Sequence, residues 1–146
     1  MKEEGFYKFE NGSITYLVDA SITNHQLNLL FAASWDEHEW SDFEAVLSHS
    51  LGYVCAYLGD ELIGFVNLAW DGESHAFILN TTVHPNVRRR GIGRRLVRLA
   101  VEVAEQRQVE WVHVDFEPHL RGFYQECGFC HTEAGLLRLT KPRKGH

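Results

Sequence analysis

The feature that most constrains the fold of this sequence is a strand, a glycine-containing turn and a helix in direct succession. The apolar run from His75 to Val83 has strand character, and apolar residues recur at helical spacing from Ile92 to Val103. Gly91 and Gly93 lie between them, and residues without side chains let the backbone bend tightly. The sequence therefore predicts a strand–turn–helix unit whose helix packs its apolar side onto a sheet.

Basic residues cluster where that helix begins. Six of the fourteen Lys and Arg residues lie between Arg88 and Arg98. The first N–H groups of a helix have no partner within the helix, and together with its positive end they favour an anion such as a pyrophosphate. The alternative is a glycine-containing turn beside a solvated basic surface, because short glycine patterns are weak signals.

The remaining charges divide the chain into two parts. Residues 9–87 contain eleven acidic residues and no Lys or Arg, whereas residues 88–146 contain twelve basic and seven acidic residues. This division favours a protein that binds an anion with one part and a cation with the other. A nucleic-acid-binding module would be another use of the arginines. The net charge of −6 and the lack of a basic stretch interleaved with aromatic residues argue against it.

The order of predicted elements indicates an α+β fold. The length of 146 residues and the 45% hydrophobic content fit a single domain over residues 1–146. The predicted elements are a hairpin turning at Asn11-Gly12, two helices opened by capping boxes at Thr23–Gln26 and Ser41–Glu44, strands at 52–58, 62–70, 75–83 and 111–114, a helix from Pro118 to Gly128 and a last strand at Leu136–Leu139.

The number of cysteines and the hydropathy of the chain indicate in which cellular compartment we expect the protein. Three cysteines are too few for a disulfide scaffold, the chain has no apolar run of about 18 residues, and its first residues do not resemble a secretion signal. We therefore expect a cytoplasmic protein without a membrane partner. Cys127 and Cys130 have CxxC spacing, but Cys127 is predicted to end a helix, which favours a structural role. No metal site is predicted, because His113 and His131 lack a second pair of ligands.

Two motifs resemble those of the GNAT superfamily of acetyltransferases. One is Arg88-x-x-Gly91-x-Gly93 after Val-His-Pro, and the other is Tyr124-x-x-x-Gly128-Phe129. The resemblance covers nearly the whole chain. It implies a mixed, mostly antiparallel central sheet with splayed middle strands, flanked by about four helices. It also implies acetyl-CoA as co-substrate and a possible homodimer through the C-terminal strands.

The resemblance also implies roles for individual residues. Thr82 and Val83 would hold the pantetheine arm, and a backbone N–H near Val83 would polarise the thioester carbonyl. The pyrophosphate would be bound by Arg88, Arg89, Arg90, Gly91, Ile92, Gly93 and Arg94. Tyr124 matches the family's general acid, although a half-buried helix tyrosine without a catalytic role is the alternative. Glu117 departs from the pattern, because the family often has a cofactor-contacting Asn at that position.

The segment between the first two helices has an unusual composition. Trp35 and Trp40 bracket three acids, of which Glu37 and Glu39 are the predicted substrate contacts together with both tryptophans. Aromatic faces and carboxylates attract cations, so a small cationic amine is the predicted acceptor. Packing of the tryptophans into the core beside an acidic rim is the alternative.

The general base is not identified by the sequence. The candidates are Glu37, His38, Glu39, Asp71, Glu73 and Asp115. The other histidines, His75 and His113 among them, are interpreted as structural or surface residues. The sequence thus predicts an N-acetyltransferase that transfers acetyl directly from acetyl-CoA to a primary amine in a ternary complex. A catalytically inactive acyl-CoA-binding sensor or interaction domain is the alternative.

Overall fold

The computed structural model describes residues 8–11 and 13–140. The strands are β1 (Lys8–Asn11), β2 (Ile14–Val18), β3 (Ser50–Leu58), β4 (Glu61–Trp70), β5 (His75–Val83) and β6 (Trp111–His113). The helices are α1 (Asn24–Ser34), α2 (Glu44–Ser48), α3 (Ile92–Gln106) and α4 (Arg121–Glu126), with 3₁₀ turns at Pro85–Val87 and Pro118–Leu120. The predicted hairpin joins β1 and β2, although its turn glycine, Gly12, lies outside the described residues.

The strands form one sheet in the order of the sequence, β1 to β6. The pairs from β1 to β5 are antiparallel, and β5 pairs with β6 in parallel. A parallel pair needs a crossover, which α3 provides. This is the mixed, mostly antiparallel α+β sheet that the sequence predicts. In the described part of the chain, no helix is both long and apolar enough to span a bilayer.

Apolar residues cover both faces of the sheet. On one face, α3 packs Leu96 and Leu99 against strand residues such as Val66. On the other face, α1 contributes Leu27 and Phe31 to a smaller cluster. The capping box predicted for α1 is present, because the Thr23 hydroxyl accepts the N–H of Gln26 and the Gln26 amide oxygen accepts the N–H of Thr23.

Two predicted local features are wrong. The capping box at Ser41–Glu44 does not form, because Phe43 is the N-cap of α2 and the Asp42 carboxylate accepts the N–H of Glu44 at 2.9 Å. The last predicted strand, Leu136–Leu139, is not a strand in the structure. Its leucines are 83–87% exposed. A leucine-rich run becomes a strand only where a ladder partner and a buried face are both present.

Candidate active site

A β-bulge bends β5 near its centre. The register of β5 against β4 shifts between Phe65 and Asn67 of β4, opposite Asn80. Asn80 has a φ of 59°, in the left-handed region, and its carbonyl accepts a hydrogen bond from the Thr82 hydroxyl at 2.9 Å. An extra residue in one strand bends that strand and frees backbone groups from the ladder.

The two strands of the sheet's parallel pair, β5 and β6, separate after three paired residues. Residues 75–77 of β5 pair with Trp111–His113 of β6. In the described chain the ladder then stops, so β5 continues to Val83 while residues 114–117 run outside it. The bulge and this short pairing leave a gap, named here the β5–β6 gap. The predicted splay of the middle strands is therefore present.

The glycine loop joins the far end of β5 to α3. Gly91 is the N-cap of α3 with a φ of 75°, and Arg89 has a φ of 67°. A Cβ atom built on Gly91 would meet no atom within 4 Å. Ile92 is only 2% exposed and anchors the helix start in the core. The space beside the Gly91 backbone is therefore open, and the first N–H groups of α3 have no partner within the helix. An anion bound at the helix N-terminus would need both features.

The arginines of this loop differ in their contacts. Arg88 donates from Nε to the carbonyl of Val83 at 3.4 Å, which ties the loop to the end of β5. The Arg94 guanidinium forms an ion pair with Glu126 of α4, and Arg98 donates to the Glu126 carbonyl at 3.3 Å. The Arg94 side chain is therefore directed at α4. Its backbone N–H, in the first turn of α3, is the group left for the predicted pyrophosphate site.

Tyr124 of α4 packs against Phe116, in the segment that follows β6. It is 6% exposed and stacks on Phe116 with ring centroids 4.8 Å apart, while Phe123 and Phe129 meet it edge-on. Gly128, with a φ of 99°, ends this helix as predicted.

The Tyr124 hydroxyl lies beside the Thr81 hydroxyl of the bulged strand. Among the described residues, the Thr81 oxygen is buried and makes no hydrogen bond of standard geometry. Burial raises the pKa of Tyr124 above its usual value, and the polar contact with Thr81 offsets part of that rise. The phenol is therefore protonated at neutral pH. Thr81 carries no motif signal, since a threonine in a strand is common.

The acidic segment after α1 packs partly on α1 itself. Trp35 stacks on Phe31 at 4.4 Å and remains 39% exposed, whereas Trp40 is 61% exposed and lies beside His25 of α1. Phe31 in turn contacts Phe65 of β4. Trp35 thus packs on a core residue, as the structural interpretation of the segment expects. Trp40 faces solvent, where it is available to a cationic ligand. Glu37 is exposed and Glu39 is half-buried.

A separate groove of about 380 Å³ lies between α1 and the β3–β4 turn, with Leu29, Asp60 and His84 on its walls. None of the predicted site residues lines it. It therefore does not bear on the assignment of the β5–β6 gap.

A family model described as the acetyltransferase (GNAT) family matches residues 18–129 of this chain. That range contains the bulged strand, the glycine loop, α3 and Tyr124. The chain belongs to the GNAT family of acetyltransferases. The family uses acetyl-CoA as co-substrate.

Known proteins resemble this GNAT chain in sequence and in fold. A mycothiol acetyltransferase from Mycolicibacterium vanbaalenii is 40% identical over 66 residues, which are 45% of this chain and 22% of that protein. The chain therefore spans about a fifth of that relative. The GNAT family protein SP0256 from Streptococcus pneumoniae TIGR4 is 26% identical with a TM-score of 0.68, covering 86% of this chain and 98% of that one.

A more distant GNAT structure has the same fold. The aminoglycoside acetyltransferase meta-AAC0020 from an uncultured soil metagenomic sample is 16% identical, with a TM-score of 0.70 over 91% of this chain and 99% of that one. At this identity the likeness supports the fold alone. Within the described residues of the present GNAT protein, no group of three or more His, Cys, Asp or Glu could hold a metal ion.

We expect Gly91→Ala to lower the free energy of unfolding by about 1–2 kcal/mol, because an L-residue at a φ of 75° is strained. Urea denaturation would measure the change. Gly122→Ala is the matched control. Gly122 lies inside α4 with open space around it, so alanine there should raise the stability by about 0.5–1 kcal/mol. Equal losses at the two positions would contradict the prediction.

Proposed function

We propose that this chain is an N-acetyltransferase that moves an acetyl group from acetyl-CoA to a primary amine in a ternary complex. The observation that carries the proposal is the position of Tyr124, whose protonated hydroxyl lies beside Thr81 at the β5–β6 gap. Two residues after Thr81, β5 ends at Val83 and leads through the glycine loop to the N-terminus of α3. One acetyl-CoA laid along β5 would therefore meet an anion site at its phosphates and a proton donor at its sulfur.

The chain's own groups supply the chemistry of each step. The amine nitrogen forms a bond to the carbonyl carbon while a backbone N–H near Val83 stabilises the oxygen that becomes negative. The carbon–sulfur bond then breaks, and Tyr124 gives its proton to the departing sulfur. A phenol with a pKa at or above about 10 is a weaker acid than a thiol near 8.5, so this transfer accompanies the bond cleavage instead of preceding it. The proton that the nitrogen loses passes to solvent, and solvent returns a proton to Tyr124.

The acceptor proposed is a small cationic amine. Support comes from charge, because the first part of the chain carries eleven acids between residues 9 and 87 without a basic residue. Glu37 and Glu39 lie in a segment whose Trp40 side chain is open to solvent. Carboxylates and an exposed indole face attract an ammonium group.

The test is release of free thiol from acetyl-CoA with three amines of equal length: 1,4-diaminobutane, butylamine and 4-aminobutanoate. Their far ends are cationic, neutral and anionic. We expect turnover in that order, with about tenfold between the extremes for one or two screened ion pairs. The double variant Glu37→Gln, Glu39→Gln should lose the preference. The matched control Glu102→Gln, on the exposed side of α3, should keep it.

Each possible result bears on one part of the proposal. Preference for the anionic amine would contradict the cationic acceptor and leave the enzyme class standing. Calorimetric binding of acetyl-CoA without thiol release on any amine would favour the catalytically inactive sensor. Glu117 gives that outcome a structural basis, because it replaces an amide that is common in the family.

A further inference from the structure

The bulge at Asn80 directs Thr81 to the side of the sheet that α3 and α4 cover. Before the bulge, Ile78 belongs to the core cluster that contains Leu96 and Leu99 of α3. Side chains alternate between the two faces of a regular strand, which would direct residue 81 away from that helix. The extra residue at the bulge reverses the alternation, so Thr81 returns to the face that carries Ile78.

The residues after the bulge have the reversed alternation. The Val83 side chain lies 3.6 Å from a Cβ atom built on Gly93, in the first turn of α3. Thr82 is paired with Phe65, and directly opposite residues of two strands share a face. Phe65 belongs to the cluster on the α1 side of the sheet. Thr81 and Val83 therefore face α3, whereas Thr82 faces α1.

The Thr81 hydroxyl lies beside Tyr124 and has no other use in the fold. Its oxygen is buried and makes no hydrogen bond of standard geometry to any described residue. The neighbouring Thr82 hydroxyl is instead hydrogen-bonded to the Asn80 carbonyl at 2.9 Å. A buried hydroxyl without a partner destabilises the fold, so its presence beside a reacting group points to a catalytic use.

Tyr124 needs a hydrogen-bond donor at the moment it acts as an acid. Loss of its proton leaves a negative phenolate oxygen in a buried place, and a buried charge without a hydrogen bond is strongly disfavoured. Burial raises the pKa of Tyr124, and the neighbouring Cys127 and Asp115 raise it further. Among the described groups that shift this pKa, Thr81 is the one that lowers it.

We infer that Thr81 is a positioning residue for the acid, and that its hydroxyl donates a hydrogen bond to the Tyr124 oxygen as that oxygen loses its proton. The inference rests on the proposed acetyl transfer. The O–H bond of Tyr124 breaks while an S–H bond forms on the departing thiol, and the negative charge appears on the phenolate oxygen. A hydroxyl hydrogen rotates to suit its partner, so Thr81 can turn it toward that oxygen without movement of the strand. Solvent then returns a proton to Tyr124.

The test measures thiol release from acetyl-CoA by Thr81→Val, with a saturating concentration of the best of the three amines above. Valine has the branched shape of threonine but no hydroxyl. Loss of a hydrogen bond to a charged group corresponds to about ten- to a hundredfold in rate, so we expect kcat to fall by that factor. Thr81→Ser keeps the hydroxyl and should recover most of the wild-type rate. Calorimetric affinity for acetyl-CoA should not change in either variant.

A double-variant cycle tests whether Thr81 acts through Tyr124. In Tyr124→Phe the oxygen that needs the hydrogen bond is gone, so the further change Thr81→Val should not lower kcat again. Two residues that act independently would instead multiply their losses.

Stability separates this role from a structural one. Thr81→Val removes a buried hydroxyl that has no partner, so its melting temperature should equal or exceed that of the wild type. Thr15→Val is the matched control, because Thr15 is a half-buried threonine on β2, three strands away from β5 in the sheet. This control should keep the wild-type kcat.

Three outcomes would overturn the inference. These are a wild-type kcat in Thr81→Val, multiplied losses in the double variant, or a loss of activity that accompanies a fall in melting temperature. Each would leave the acetyltransferase proposal intact. Absence of thiol release by the wild type with every amine would overturn the proposed function, and this inference with it.

Discussion

Tyr124→Phe is expected to lower the rate of thiol release about a hundredfold at neutral pH, the lower end of what a general acid contributes. The ring would still stack on Phe116 and fill the same space, so the fold and the binding of acetyl-CoA should be preserved. Only the proton donor to sulfur is lost. Steady-state thiol release with saturating amine measures the effect.

Tyr16→Phe is the matched control for this prediction. Tyr16 on β2 is fully buried, and its hydroxyl has no hydrogen-bond partner in the described chain. Burial raises its pKa as it does that of Tyr124. The two tyrosines share burial and charge state and differ in position, since Tyr124 alone lies beside Thr81. Full activity of Tyr124→Phe, or equal losses in both variants, would contradict the role of Tyr124.

The pH dependence of the wild type follows from the same pKa. A tyrosine whose pKa is raised keeps its proton through neutral pH and loses it only at more basic pH than usual. Its contribution to the rate is therefore present at neutral pH and is lost only at a pH above the range in which an ordinary tyrosine loses its proton.

Much of the site could be predicted because its signals are local in sequence. A strand, two glycines and an amphipathic helix follow one another within the range from His75 to Gln106, and short-range geometry settles their arrangement. The family resemblance alone led us to expect splayed middle strands, and it did not place the bulge at Asn80. Its left-handed φ depends on pairing with β4, which no pattern within β5 reveals.

Features that depend on distant contacts could not be predicted in this way. His75 and His113 are 38 residues apart, and only the parallel crossover brings their rings together. Leu136–Leu139 fails as a strand for a related reason, because its pattern does not specify a ladder partner. The homodimer through these C-terminal residues, the single domain over residues 1–146 and the assignments of individual cofactor contacts stay predictions.

Arg107→Ala is expected to lower the free energy of unfolding by about 2–3 kcal/mol. Arg107 is the C-cap residue of α3, and its guanidinium lies 3.2 Å from the Asp19 carboxylate and donates to the Leu51 carbonyl. The Asp19 side chain is 1% exposed, so removing its partner leaves a buried charge uncompensated. Losses of about 3–5 kcal/mol are typical of fully buried pairs, and the 35% exposure of Arg107 reduces the expected effect. Urea denaturation would measure it.

Two further variants decide whether the buried charge is the cause. Arg98→Ala removes an exposed arginine from the same helix and should change stability by no more than about 0.5 kcal/mol. Asp19→Asn combined with Arg107→Ala should lose less than Arg107→Ala alone. Asparagine tolerates the φ of 54° at this position and keeps the oxygen that accepts the Tyr53 N–H at 3.0 Å, but it carries no charge. A double variant as unstable as Arg107→Ala would show that lost packing of the arginine side chain causes the loss of stability, and not the buried Asp19 carboxylate left without its ion-pair partner.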